Sequence, residues 1–172
     1  MAHITSINIS ARKGVQKRPV GEVPHVVVAD EGLESDAHAG KWHRQVSFLA
    51  EESIAKAREM GLEVGPGDFA ENFTTEGIDL LDLPLGTQLR LGCEVLVEIS
   101  QIGKVCHTRC AIYHLAGDCI FPREGIFGVV LEGGTVRAGD SMEVGKRGDG
   151  PCSNPPLGVW AEVEAARKAG TL

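Results

Sequence analysis

The residues best suited to chemistry lie in the segment Cys106-His107-Thr108-Arg109-Cys110, which follows a predicted strand and a break at Gly103-Lys104. Two thiols four residues apart stand among Lys104, His107 and Arg109, and a nearby cation favours thiolate over thiol. Thiolate is the nucleophilic and the metal-binding form of cysteine. The segment therefore predicts a reactive thiol that serves as a metal ligand, a sulfur carrier or half of a redox pair.

Two other interpretations of these thiols stay open. A structural zinc site would use three cysteines and one histidine, namely Cys106, Cys110, Cys119 and either His107 or His114. Its spacing lacks the second Cys-x-x-Cys half that is typical of such sites. Alternatively, the thiols only fill space in the core, although the cations on both sides of Cys106 do not suit an apolar environment.

Length and composition describe an ordinary globular chain. The 172 residues suffice for one domain with a full core, and 42% are hydrophobic while 24% are charged. The net charge of −7 argues against a nucleic-acid binder, because neutralising phosphates requires a basic surface. We expect no membrane span and no secretory signal, since no apolar run is long enough. Five cysteines cannot all pair within one chain, which favours free thiols in the cytoplasm.

Apolar alternation and frequent glycines predict a mainly β domain. Strands are predicted at 3–10, 25–29, 88–91 and 94–101, with a hairpin turn at Gly92-Cys93 and a strand–turn–strand at 135–144. Helices are predicted from an N-cap at Ser47 to Met60, as one or two turns at 124–131, and at 159–168. Because helices and strands do not alternate regularly, we expect a β-barrel with a few decorating helices rather than a doubly wound sheet.

Two polar loops and one amide are further candidates. The basic loop at 12–19 is either a solvated turn or a rim that faces phosphate. The Gly-rich loop at 32–45 holds Asp36, His38, His43 and Arg44, and it is either a site or a surface loop that satisfies its own backbone. Asn72 either presents its amide to a ligand or ties down a neighbouring turn.

Several motifs in a fixed order carry a resemblance to a known family. The order GLESDAHAG, HRQVSFLAEESI, GDFAENFTTEGIDLLDLPLGTQLRLG, SQIGKVCHTRCAI and GDCIFPREGIFGVVLEGGTVRAGD resembles the MOSC domain family, named for the C-terminal domain of molybdenum cofactor sulfurases. The chain is most similar to the small stand-alone bacterial members. The resemblance implies a MOSC-type β-barrel over residues 1–145, and we expect residues 146–172 to form a linker and a short helix that pack on the same domain.

The resemblance also implies a function for the cysteine segment. Family members bind the pterin-based molybdenum cofactor, with molybdenum held by a cysteine, or carry sulfur as a cysteine persulfide to or from a metal-sulfur centre. The family cysteine falls on Cys106 or Cys110: the Gly-Lys-x-Cys pattern favours Cys106, whereas Arg109-Cys110 resembles the Arg-Cys pair of the reductase branch. Either thiol would be the catalytic group and the metal ligand.

Further cofactor-binding residues follow from the same comparison. Asn72 and Arg123 match family positions that line the pocket, and Asp36 and His38 lie in the family's GL-x-GD-x-HAG pattern. Ser35 stands where that pattern has glycine, and glycine would adopt a left-handed backbone more easily than serine does. Lys104, His107 and Arg109 would lower the thiol pKa and hold an anionic acceptor.

The resemblance also implies which partners would supply and receive sulfur, and two alternative functions stay open. The chain has no room for the pyridoxal-phosphate domain of a desulfurase, so sulfur would come from a partner such as a cysteine desulfurase. It would go to molybdenum cofactor biosynthesis proteins or to a molybdoenzyme. One alternative is a non-catalytic binding or accessory module with a structural zinc site. Another is the cofactor-binding part of a molybdenum-dependent reductase of N-hydroxylated compounds. Because the sequence has no flavin or haem signature, such a reductase part would need separate electron donors.

Overall fold

The computed structural model describes residues 1–104, 114 and 120–150 of the chain. These residues form eleven strands, two short α-helices and one 3₁₀ turn. The strands are β1 (His3–Ile9), β2 (Arg18–Pro19), β3 (His25–Val28), β4 (Gly32–Leu33), β5 (Val46–Ala50), β6 (Phe73–Glu76), β7 (Gln88–Leu91), β8 (Val95–Ile102), β9 (Ile126–Glu132), β10 (Gly134–Val136) and β11 (Met142–Lys146). The helices are α1 (Glu51–Glu59) and α2 (Phe121–Glu124), and the 3₁₀ turn spans Leu80–Asp82. The helix predicted at 159–168 lies outside the described residues.

Two sheets confirm the predicted mainly β class. The larger has eight strands in the order β11-β7-β8-β9-β5-β6-β1-β2, and the smaller has the order β10-β3-β4. The large sheet curves back on itself, so that β1 and the start of β11 meet. There the Ile4 amide donates to the Asp140 carbonyl and the Met142 amide donates to the Ala2 carbonyl, each at 2.9 Å. These bonds join the two ends at an isolated bridge rather than along a continuous ladder, so the predicted barrel describes the shape only loosely.

Strand β5 separates two apolar cores. Its side chains alternate in direction, as strand geometry requires, so Phe48 lies in the main core and Leu49 in a smaller one beneath the helices. The Phe48 ring stacks on that of Phe73 from the neighbouring strand, with centroids 5.1 Å apart. The smaller core joins α1 to the segment around α2 through Ile54, Leu49 and Phe121, among others. Both helices are therefore held against the edge of the sheet where the cysteine segment begins.

Two predicted helical boundaries are wrong for the same reason. Ser47 is not an N-cap but lies in the middle of β5, which pairs with β6 on one side and β9 on the other. The helix begins only at Glu51, and its buried Ile54 and Ala57 are on the predicted inner face. The turns predicted at 124–131 are mostly strand β9, which forms a long ladder with β8. In both cases pairing with strands distant in sequence overrides the local helical pattern.

The predicted hairpin is confirmed. Strands β7 and β8 pair antiparallel across the turn that holds Gly92 and Cys93, and Gly92 has the positive φ of 58° that the turn needs. Strands β10 and β11 confirm the strand–turn–strand pattern, although they pair in different sheets. Across the described part of the chain, the model contains no helix with the length and apolar character needed to span a bilayer.

Candidate functional site

A buried ion pair forms the centre of the site. The Lys17 ammonium lies 2.6 Å from both carboxylate oxygens of Asp36, and neither side chain is exposed to solvent. Asp36 also accepts hydrogen bonds from the backbone amides of Ser10 at 3.1 Å and His38 at 3.0 Å. The connection between β1 and β2 thus meets the loop after β4 through two charges that compensate each other in the interior.

The charge state of this pair follows from its surroundings. Burial acts to raise the pKa of Asp36, but its contacts with His38 and Lys17 and the charge of Lys17 lower that pKa well below its usual range. Burial lowers the pKa of Lys17, and the negative charge of Asp36 opposes this effect. Asp36 is therefore ionised at neutral pH and is the counter-ion that keeps Lys17 charged.

His38 completes the set of acceptors around Lys17. Its Nδ1 lies 3.1 Å from the Lys17 ammonium, and because an ammonium group can only donate, Nδ1 must accept. The proton of neutral His38 is then on Nε2. The pKa of His38 is lowered: contact with Asp36 acts to raise it, but burial and the positive charges of Lys17 and Lys13 outweigh that contact. All three ammonium protons of Lys17 are thus used within the cluster.

A series of cations and aromatic rings extends from His38. The indole of Trp42 stacks on the His38 ring at 6.3 Å and donates from Nε1 to the His38 carbonyl at 2.7 Å. Lys13 and Arg44 approach the Trp42 ring to 4.9 and 4.8 Å, and Arg44 also lies 5.5 Å from the ring of Phe127. These contacts continue through Phe121 to Lys104. We call this set the cation–aromatic row: Lys13, Trp42, Arg44, Phe127, Phe121 and Lys104.

Lys104 connects the row to the cysteine segment. Its ammonium lies 5.4 Å from the Phe121 ring, and its charge contributes to lowering the pKa of Lys17. Its backbone amide donates to the Pro122 carbonyl at 3.0 Å, and the Gly103 amide donates to Gly125 at 2.7 Å. On the other side, Gln101 donates to the Gly103 carbonyl at 2.7 Å and contacts His43 at 3.0 Å. The start of the segment that contains Cys106 and Cys110 is therefore fixed beside the row.

The structure brings together part of the predicted set. Asp36, His38 and Lys104 lie in or beside the cluster, whereas Cys106, His107, Arg109 and Cys110 lie outside the described residues. Arg123 is exposed on α2, whose backbone bonds to Lys104. In the described ranges, no three His, Cys, Asp or Glu side chains form a group that could hold a metal ion.

The buried side chain of Asn72 links neighbouring strands through hydrogen bonds. Its Oδ1 accepts from the amide and the hydroxyl of Ser47, each at 3.1 Å, and its Nδ2 donates to the Asn8 carbonyl at 3.3 Å. Asn72 is 1% exposed to solvent. These contacts support the second of the two roles considered for Asn72, because the amide joins β1, β5 and the start of β6.

Glu71, next to Asn72, is a fully buried acid. Its Oε1 accepts from the Gly67 amide at 2.6 Å and from the Thr74 hydroxyl at 2.8 Å, whereas Oε2 has no hydrogen-bond partner among the described residues. Burial raises the pKa of Glu71 to about 7, although these hydrogen bonds act to lower it. Glu71 also fixes the turn that supports Lys17, because the Gly67 carbonyl accepts from the Lys17 amide at 2.8 Å.

Ser35 adopts the left-handed backbone that its position in the loop requires, with φ at 65°. The hydrogen bonds of Asp36 and His38 are nevertheless in place. Because that conformation costs a non-glycine residue about 1–2 kcal/mol, strain is stored next to the buried ion pair.

Ser35→Gly should therefore raise the free energy of unfolding by about 0.5–1 kcal/mol, since the relief of strain exceeds the extra chain entropy of glycine. Urea unfolding measures the change. Ala39→Gly in the same loop is a matched control, because Ala39 is exposed and has no positive φ. This control should lose stability, and a loss in both variants would contradict the account.

Comparison with known proteins identifies the family. A family model for the MOSC domain matches residues 35–143, more than half of the chain. The chain belongs to the MOSC domain family. The matched region begins at the strained Ser35 and includes Asp36, His38, the row from Trp42 onward and the whole cysteine segment. The basic loop that supplies Lys13 and Lys17 lies N-terminal to the matched region, before β3 and β4.

Solved structures share the fold of this MOSC domain. YiiM from Geobacillus stearothermophilus is 24% identical with a TM-score of 0.68, covering 89% of this chain and 80% of that one. YiiM from Escherichia coli is 18% identical with a TM-score of 0.68, covering 99% and 94%. YuaD from Bacillus subtilis is 16% identical with a TM-score of 0.66, covering 82% and 93%. No curated protein matches the sequence.

Sequence reasoning missed the roles of Lys17 and Glu71. Lys17 belongs to the basic loop, for which the sequence offered only a solvated turn or a phosphate-facing rim, and it is 1% exposed. Its partner Asp36 is 19 residues further along the chain. The signal that could have identified Lys17 is the coincidence of a basic loop with an acid-containing Gly-rich loop. Glu71 carried no such signal, because its importance depends on complete burial.

Proposed function

We propose that this MOSC domain binds the molybdenum cofactor, with Cys106 or Cys110 as the thiolate ligand of molybdenum and the cation–aromatic row as the holder of its anionic part. The observation that supports this proposal is the row itself. Three cations, Lys13, Arg44 and Lys104, surround aromatic rings at the start of the cysteine segment in a chain of net charge −7. Local positive charge in an acidic protein indicates an anionic ligand.

The described residues fit the chemistry of this cofactor. Its phosphate suits the Lys13 and Arg44 side chains, which lie over the Trp42 ring. Trp42 is held in place by its hydrogen bond to the His38 carbonyl, and His38 is held by the buried Lys17–Asp36 pair. The cluster thus orients the row before a ligand binds. When bound, the cofactor supplies a metal that exchanges electrons and oxygen or sulfur atoms.

The positive charges also bear on the thiols. Lys104 is two residues from Cys106, and any cation near a thiol favours its thiolate. Thiolate is required both for binding a metal and for nucleophilic attack. Because these functions need reduced cysteines, we place the protein in the cytoplasm, where thiols are kept reduced.

Sulfur transport is a second candidate, favoured by the same proximity of cations to thiols. The Cys106 or Cys110 thiolate would attack the outer sulfur of a donor's cysteine persulfide, and the donor cysteine would leave as a thiolate. The new persulfide would then pass its outer sulfur to a metal-sulfur centre. The first transfer exchanges one S–S bond for another and needs no external oxidant. In the second, two electrons from a thiol reductant cleave the S–S bond, so that sulfide goes to the metal and the cysteine returns to its thiolate. The donor would be a cysteine desulfurase, and the acceptor a cofactor biosynthesis protein or a molybdoenzyme.

The decisive experiment purifies the protein from cells that make the cofactor and measures molybdenum, pterin and persulfide. We expect about one molybdenum and one pterin per chain in the wild type. A Cys106→Ser/Cys110→Ser double variant should lose both, and the single variants should show which thiol is required. Cys93→Ser is the matched control, because Cys93 is an exposed cysteine outside the segment.

Other outcomes separate the alternatives. If the wild type and the double variant both lack molybdenum and pterin, cofactor binding is refuted. If the wild type has the mass of one extra sulfur atom that is lost on reduction, sulfur transport is supported instead. Stoichiometric zinc whose removal by a chelator unfolds the protein would support the structural zinc site. Cofactor content without turnover until electron donors are added would indicate the reductase part.

A further inference from the structure

Glu71 is a buried group to which the proposed cofactor binding gives no role. An ionised carboxylate oxygen that is buried without a hydrogen-bond partner is costly, and Glu71 Oε2 is in that position within the described structure. Burial raises the pKa of Glu71 to about 7, so near neutral pH both the charged and the neutral form are populated. A group that changes charge in the physiological range therefore lies inside the protein, bonded to the turn that supports Lys17.

A short chain of contacts connects Glu71 to Lys17. Glu71 accepts from the Gly67 amide at 2.6 Å, and the Gly67 carbonyl accepts from the Lys17 amide at 2.8 Å. A Cβ added at Gly67 would clash with the Lys17 carbonyl, so the two segments are in close backbone contact. Burial lowers the pKa of Lys17, and the negative charges of Asp36 and Glu71 act to raise it.

The net charge of the buried cluster depends on whether Glu71 is ionised, because its other charges cancel. Lys17 and Asp36 compensate each other, and neutral His38 adds nothing. With Glu71 protonated, the buried cluster is neutral, whereas ionised Glu71 gives it one negative charge. Such a charge acts over a longer range in a protein interior than in water, so it opposes any anion bound at the neighbouring row.

We propose that the binding of an anion at the cation–aromatic row is coupled to the uptake of a proton by Glu71. The proposal rests on the anion site of the proposed function and adds its regulation by pH. The protonated form of Glu71 favours the anion and the ionised form opposes it. By linkage, the bound anion favours protonation of Glu71 by the same factor.

The groups that face Glu71 are few among the described residues. Asp68 on its own segment acts to raise the pKa of Glu71, and Lys17 approaches from the connection between β1 and β2. Lys17 in turn contacts Asp36 and His38, and the charge of Lys104 acts to lower its pKa. Protonated His38 would also favour an anion, but its pKa is lowered below that of an ordinary histidine, so its effect is confined to more acidic solution.

Calorimetric titration with sulfate tests the coupling, because sulfate keeps its charge across the pH range used. We expect the wild type to bind sulfate at least about fivefold more weakly near pH 8.5 than near pH 6. Glu71→Gln, which resembles the protonated acid in shape and charge, should change by less than about twofold. Near pH 7 the wild type should take up a fraction of a proton per sulfate, as measured in buffers of different ionisation enthalpy.

A third variant, Arg44→Ala, distinguishes the two proposals. Binding that needs Arg44 but is independent of pH, or that has the same pH dependence in Glu71→Gln, would overturn the role of Glu71 alone. Absent sulfate binding, or binding that Arg44→Ala leaves unchanged, would overturn the anion site and this inference with it. Should Glu71→Gln fail to fold, proton uptake by the wild type decides, and zero uptake overturns the coupling.

Discussion

Lys17→Met should lower the free energy of unfolding by about 3–5 kcal/mol at neutral pH, because removing one member of a buried ion pair leaves the other charge uncompensated. Asp36 would keep its bonds to the Ser10 and His38 amides but would lose both contacts of 2.6 Å to Lys17. Urea unfolding of the variant and the wild type measures the difference.

The pH dependence of this loss has a definite sign. The folded-state pKa of Asp36 is lowered, so its stabilising contribution is present at neutral pH and is lost only as the pH falls through that low value. In Lys17→Met the pKa of Asp36 should rise, because its cation is gone while burial persists. The buried carboxyl is then neutralised in mildly acidic solution, and the loss of stability should shrink there.

Two controls isolate the ion pair. Lys13→Met changes an exposed lysine of the same loop and should cost less than about 1 kcal/mol. Lys17→Met/Asp36→Asn removes both charges and retains an acceptor for the two amides, so it should recover more than half of the loss. A single-variant loss below about 1 kcal/mol at neutral pH would show that the pair is not buried as described.

Glu71→Gln should stabilise the protein in alkaline solution and have little effect in acid. Burial raises the folded-state pKa of Glu71 to about 7 from 4.5, so the folded protein holds this proton more tightly than the unfolded chain does. The stability linked to the proton is present below the unfolded pKa and is lost as the pH rises through about 7. The expected difference is on the order of 3 kcal/mol.

Urea unfolding near pH 5 and near pH 8.5 tests this prediction. Relative to the wild type, the variant should gain stability between these two conditions, because glutamine does not titrate. Glu63→Gln, at an exposed position, should show no such gain. Equal differences at both pH values would mean that Glu71 does not titrate in this range, which would contradict its raised pKa.

Much of the fold could be predicted from local pattern, but two strands whose sheet neighbours are distant in sequence could not. The hairpin of β7 and β8 is local, and its alternation and its turn glycine specify it. Strands β5 and β9 pair with partners far away in sequence, and residues 47–50 and 126–131 also fit a helical pattern. Their strand conformation is decided by tertiary hydrogen bonds rather than by local preference.

Some residues of the candidate site could likewise be predicted from local pattern, and others could not. Asp36 and His38 could be identified from the Gly-rich loop, because polar groups concentrated in a loop are often functional. Lys17 could not, because a basic loop is usually solvated and its burial depends on meeting Asp36 across the fold. The hydrogen bonds of Asn72 with Ser47 and Asn8 could not be predicted either, because these partners are 25 and 64 residues away along the chain.

The proposed role of the cation–aromatic row is to hold the anionic part of the molybdenum cofactor. Anaerobic titration of the isolated cofactor into the wild-type protein and into Lys13→Ala/Arg44→Ala tests this most directly. We predict one cofactor per wild-type chain, and at least about tenfold weaker binding by a variant that lacks two cations. Equal affinity of the two proteins would contradict the claim.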